Sequence, residues 1–127
     1  MSEEQRNTGM RIRREVLGDA HVDRATAAAT PFSAPLQDFI TRVAWGDVWA
    51  RPGLDRRTRS LITLAVVTAL RSDGEIALHV RGALRNGLSP AEISEALLHT
   101  AVYAGVPAAN HAFAIAQRVI DETAAEK

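Results

Sequence analysis

Twice the chain sets a Ser-x-x-Glu box directly ahead of an apolar run, at Ser72 to Glu75 and at Ser89 to Glu92, and each run then repeats its apolar residues every three to four positions. Such a box satisfies two orphan amides at a helix start, and a 3.6-residue period places the apolar side chains on one face. No window alternates apolar and polar residues between turn formers, so strands have no support. The chain reads as all-α.

The remaining punctuation divides the helices. Residues 3–17 form a polar helix candidate that stops at Gly18, and residues 19–29 form a short second piece ending before Pro31. Ser33 is a good N-cap for a helix running to about Trp49, where Arg51-Pro52-Gly53 makes a turn. Asp55 then caps a helix through Leu70, and its portion 61–70 is apolar on every side, a pattern that predicts a fully buried central helix. The helix opened by Ser72 ends at Asn86-Gly87, with glycine where a left-handed residue closes a helix. The helix opened by Ser89 carries Ile93, Leu97, Ala101 and Ala104 along one stripe and breaks near Gly105-Val106-Pro107. A last helix runs to about Asp121, and Ala108, Ala109, Ala112, Ala114 and Ala116 let partner helices approach closely.

With 127 residues, 46% of them hydrophobic, the chain fits a single domain over 1–127, of which about 1–30 is an N-terminal helical extension. Basic and acidic residues balance at 15 each, so no net field draws the chain to nucleic acid or to an anionic membrane. Cysteine is absent, which removes disulfides, thiolate nucleophiles and Cys-ligated metals together. The N-terminal stretch is charged and lacks an apolar core segment, and no run reaches the roughly 18 apolar residues of a membrane span, so a soluble cytoplasmic protein is expected.

Some residues depart from core logic. On the helix from Ser33, Leu36, Phe39, Ile40 and Val43 make an apolar stripe, while Asp38, Arg42, Trp45 and Trp49 fall opposite. Two faces therefore want burial, which a second core layer, a subunit interface or a ligand pocket would each explain. On the helix from Ser72, Ile76, Val80, Ala83 and Leu84 form the core stripe, and Glu75, His79, Gly82 and Asn86 line its flank. Glu75 and His79 are one turn apart. They read either as a capping glutamate beside a core-edge histidine or as an acid-base pair. A metal held by Glu75, His79 and either His99 or His111 is a weaker alternative, because no H-E-x-x-H or similar spacing occurs. The pairs Arg13-Arg14 and Arg56-Arg57 are short and matched by acids, and read as solvated surface rather than a nucleic-acid patch.

The run WGDVWARPGLDRRTRSLITLAVVTAL (45–70), EIALHVRGALRNGLSPAEISEALLHTAVYAGVPAANHAF (75–113) and the earlier LGDAHVDRA together resemble the carboxymuconolactone decarboxylase family. The resemblance covers nearly the whole chain from about Gly18 onward. It implies a small helical subunit of the alkylhydroperoxidase D-like fold, assembled as a homo-oligomer, with a hexamer the expected form. The wider superfamily includes thiol peroxidases with the motif C-x-x-C-x-x-x-H. Aligning HVRGAL puts His79 on the motif histidine and Ser72 and Glu75 where the cysteines would be, so the peroxidase centre is missing and a cysteine-free pocket is implied.

The resemblance further implies a lyase that converts 4-carboxymuconolactone to 3-oxoadipate enol-lactone and CO2 in the protocatechuate branch of the β-ketoadipate pathway. The electrons of the departing carboxylate run through the C=C into the lactone carbonyl, so the substrate is its own electron sink and no cofactor or metal is called for. The expected roles are His79 as general acid, oriented and kept protonated by Glu75; Arg51 gripping the acetate arm; Trp45 and Trp49 walling the site; and Tyr103 as oxyanion donor. The partner is a small dicarboxylate lactone. Competing readings are a non-catalytic helical oligomeric binding protein of the same fold and a lactone isomerase or hydrolase.

Overall fold

The computed structural model describes residues 3–126, and among them it contains helices and turns but no strand. The seven α-helices are α1 (Glu3–Leu17), α2 (Asp19–Ala28), α3 (Ala34–Phe39), α4 (Arg56–Ala69), α5 (Asp73–Arg85), α6 (Pro90–Ala104) and α7 (Val106–Ala125). The segment Ile40–Val48 continues α3 as a π-helix. The chain divides between Asp55 and Arg56 into two compact units.

In the first unit α1 packs along the π-helical segment, and α2 folds back on α1. α1 starts with Glu3 and Glu4 and has Arg14 in its last turn, the charge order that suits the helix dipole. Gly9 faces the π segment with no side chain between the backbones: a Cβ there would stand 2.9 Å from the Gly46 nitrogen and 3.0 Å from the Thr41 carbonyl carbon, with the Thr41 oxygen nearer still. The π turn exposes a carbonyl to the same neighbour, since Gln5 Nε2 donates to the Arg42 oxygen at 2.9 Å. The wide winding is seen in Trp49 N–H bonding to the Ala44 carbonyl, five residues back, at 2.9 Å.

Of the two faces of this helix that want burial, the structure covers the one that carries Trp45. Leu36 and Phe39 are exposed and Ile40 half-buried, whereas Thr41 and Trp45 are buried. The close approach at Gly9 and the π winding orient the Thr41 and Trp45 face inward, and a uniform 100° step cannot register that change.

The second unit has a continuous core of Leu64, Val67, Ile76, Val80, Ala83, Leu88, Ile93, Leu97, Ala112, Ala116 and Val119. α5 packs against α4 and α7, and α6 against the same two helices. α5 closes at Asn86, and Gly87 takes φ of 92° so that Gly87 N–H reaches the Leu84 carbonyl and Leu88 N–H the Ala83 carbonyl. This double bond is a Schellman closure, and Leu88 is buried beneath it. α4 closes the same way onto Thr68 and Val67, but with Arg71 in the left-handed position at φ of 55°. The prediction of a fully buried α4 is not met: Ser60, Leu64, Val67 and Thr68 are buried, while Ile62, Val66 and Leu70 are exposed along the opposite side. An all-apolar helix in this isolated chain thus has one face on the core and one face uncovered. α7 extends past the expected Asp121, to Ala125.

Candidate active site

The two Ser-x-x-Glu boxes behave differently. At α6 the box is formed, with Glu92 N–H donating to Ser89 Oγ at 3.1 Å and Ser89 N–H to Glu92 Oε1 at 2.9 Å. At α5 the Ser72 side chain makes no capping bond. The reason is local: Ser72 N–H already donates to the Val67 carbonyl at 3.0 Å in the closure of α4, so the reciprocal half of the box has no amide to use. The Glu75 carboxylate lies instead 3.5 Å from Nε2 of His79, one turn on.

These two groups differ in environment. The His79 side chain is only 11% exposed, whereas Glu75 is 54% exposed. A nearly buried imidazole beside a carboxylate that reaches solvent can exchange a proton with it, as an acid-base pair does. The flank continues as expected to Gly82, which is buried, and to Asn86, whose Nδ2 donates to Ser60 Oγ at 2.8 Å. Ser60 is buried on α4, and only the polar spacing of Asn86 hinted that such a partner existed.

Tyr103 stands on α6 with its side chain on the surface, 81% exposed, and its ring centroid 5.3 Å from that of His99. His99 lines a 520 Å³ groove with Leu61, Ile62, Ala65, Glu95 and Ala96, and neither Glu75 nor His79 lines it. His99 and His111 are both exposed. His111 Nε2 lies 2.6 Å from Asp73 Oδ1 at the start of α5. Among the described residues no group of three or more His, Asp or Glu side chains is gathered as a metal site.

In the first unit Trp45 and Trp49 stack with centroids 4.8 Å apart and planes tilted by 31°. Trp45 is a core residue and Trp49 is half-buried. Arg51 follows on the turn, with Nη1 3.9 Å from Asp47 Oδ1. The structure therefore joins Glu75 to His79 and Trp45 to Trp49, and sets Tyr103 beside His99.

Of the arginine pairs read as surface, three members fit that reading. Arg14 binds Asp19 and Asp23 at 3.0 and 2.9 Å, Arg56 is half-buried, and Arg57 meets Glu92 and the Gly87 carbonyl. Arg13 does not: it is 5% exposed, with Nη1 donating to Thr41 Oγ1 at 3.2 Å and Nη2 to Gln37 Oε1 at 3.1 Å. A charge reads as surface in a sequence because burial is costly; here α1 turns it toward the π segment.

Comparison with known proteins identifies the family. The profile of the Carboxymuconolactone decarboxylase family matches residues 34–118. The chain is 45% identical over 123 residues to a 4-carboxymuconolactone decarboxylase of Acinetobacter baylyi, covering 96% of this chain and 92% of that one. It is 46% identical over 114 residues to the nitrosuccinic acid decarboxylase npaB of Metarhizium robertsii, covering 90% of this chain and 80% of that protein. A 4-carboxymuconolactone decarboxylase sequence of Pseudomonas putida is 52% identical over 48 residues, 37% of this chain and all of that sequence.

Proposed function

Because the chain belongs to the carboxymuconolactone decarboxylase family, we propose that it is a cofactor-independent lyase converting 4-carboxymuconolactone to 3-oxoadipate enol-lactone and CO2. The C–CO2 bond at the γ-carbon breaks, its electron pair moves through the C=C into the lactone carbonyl, and the furanolate so formed takes one proton at the α-carbon. His79 delivers that proton as general acid. Glu75 orients the ring and resupplies it from solvent. The observation that carries this reading is the nearly buried His79 imidazole 3.5 Å from the half-exposed Glu75 carboxylate.

Arg51 binds the acetate arm through its planar fork, Trp45 and Trp49 exclude water, and Tyr103 donates to the developing oxyanion. Each is the residue type its task requires. The working form is a homo-oligomer. This is supported by the apolar surface of the single chain: Ile62, Val66 and Leu70 on α4, Leu98 and Val102 on α6, and Phe32 and Leu36 in the first unit are all exposed. The reaction takes a soluble dicarboxylate, which suits a cytoplasmic enzyme of protocatechuate breakdown, and among the described residues no helix is long and apolar enough to cross a membrane.

The npaB match favours a second reading, decarboxylation of nitrosuccinate. The two substrates share a logic, since a nitro group accepts the electron pair as a nitronate just as the unsaturated lactone does as a furanolate. Chelator-treated protein, shown to be assembled by light scattering, is assayed with both acids in turn. Release of CO2 from 4-carboxymuconolactone with a higher kcat/KM than from nitrosuccinate is the expected result. No turnover of the lactone by the assembled protein overturns the proposal, and faster turnover of nitrosuccinate transfers it to the second reading.

A further inference from the structure

Arg13 is a buried cation without an anion. Its two hydrogen-bond partners, Thr41 and Gln37, are neutral, and its Nε is buried with no partner. Burial first, and the neighbouring Arg14 second, push its pKa below the ordinary arginine value, yet a guanidinium stays protonated at neutral pH. The nearest carboxylate on the same wall, Asp38, is already engaged by Arg42 Nε at 2.7 Å and by Arg6. Two guanidinium groups thus share that carboxylate, and Arg13 has neither contact with it nor another anion. Such a charge is retained in a fold at a cost unless something compensates it.

Arg13 lines a cavity of 180 Å³ in the first unit. That is the share of about six water molecules in the liquid. Gln37 lies on the same wall with its carboxamide oxygen committed to Arg13, which leaves its NH2 group as a further donor. Met10, Ala29 and Ala34 give the lining its apolar surface, while Thr26 and Thr41 add hydroxyls and Arg6 is already paired with Asp38. An inorganic oxyanion would gain little from the apolar side chains, whereas a carboxylate on a short hydrocarbon stem would meet both the charge and the apolar surface.

We infer that this cavity is a binding site for a small organic carboxylate, held by Arg13 and Gln37. It stands independently of the decarboxylase reading. The full chain is melted in sodium butyrate, in butyramide of the same concentration, in sodium phosphate and in sodium chloride, with the salts at one ionic strength. Butyrate is expected to raise Tm by about 2–5 °C over chloride at saturating concentration. Butyramide, which has the same stem without the charge, leaves it unchanged. The rise is absent in Arg13→Met and intact in His79→Ala.

No rise with butyrate, an equal rise with butyramide, a larger rise with phosphate, or a full rise in Arg13→Met overturns the site. Should Arg13→Met fail to fold, Gln37→Leu is read in its place. Its half-maximal butyrate concentration should increase at least about threefold, the worth of one neutral hydrogen bond, and an unchanged value overturns the assignment.

Discussion

Replacing Gly9 by alanine tests the packing that holds the first unit together. A Cβ at this position would lie 2.9 Å from the Gly46 nitrogen and 3.0 Å from the Thr41 carbonyl carbon, where relaxed contacts run about 3.5–4.0 Å. The obstacles are backbone atoms, so no side chain can swing aside, and because the Thr41 carbonyl oxygen is nearer than either, α1 must retreat from the π segment by more than about 1 Å. Overpacking against a rigid neighbour costs about 3 kcal/mol at the upper end of its usual range. Alanine regains about 1 kcal/mol of helix propensity, leaving a net loss of about 2 kcal/mol. For a chain of this size that lowers Tm by roughly 6–10 °C. Thermal melting by circular dichroism at fixed protein concentration measures it, with Gly74→Ala as control because nothing stands within 4 Å of a Cβ there. The control should melt at or slightly above the wild type. A Gly9→Ala protein that does the same refutes the close approach of α1 to the π segment.

Three further outcomes follow from individual residues. Arg71 occupies the left-handed closure of α4, which costs an L-residue about 1–2 kcal/mol, so Arg71→Gly should raise stability by about 0.5–1 kcal/mol after glycine's entropy is counted, read as a higher urea midpoint. The Glu92 carboxyl is held below its usual range by the Ser89 backbone amide and then by Arg57. A depressed carboxylate lends stability above its unfolded pKa and loses it as pH falls through the lower folded value. The Tm of the wild type should therefore drop more steeply than that of Glu92→Gln below about pH 4.3, in a melting series across that range. Arg51→Lys keeps the charge but not the fork, and steady-state kinetics should show KM raised roughly tenfold with kcat little changed; an unchanged KM moves substrate binding to another cation.

Local signals told the helix boundaries well where the chemistry is local. Gly18, Ser89 with Glu92, Gly87 and Gly105 each end or start a helix where their letters predict. The same letters at Ser72 misled, because the amide that a capping box needs is taken by the preceding turn, a conflict invisible within a four-residue motif. Gly9 and Gly46 escaped notice for a related reason: two backbones 37 positions apart in the chain touch through them, and periodicity carries no trace of a distant partner. The uncovered faces of α3 and α4 read as core because apolarity records what must leave water, not which neighbour covers it. For the candidate site, the Glu75 and His79 pairing was legible from i, i+4 spacing alone, and so was the flank down to Asn86. Arg13 was not, since a buried charge contradicts the rule by which sequences are read.

In the proposed reaction the imidazole of His79 supplies the proton that completes decarboxylation. Its most direct test is kcat for 4-carboxymuconolactone in His79→Ala, measured on protein whose helicity and assembly match the wild type. Loss of the general acid predicts a fall of about 10²–10⁴-fold. A kcat within about twofold of the wild type, a difference of less than 0.5 kcal/mol in the barrier, contradicts it.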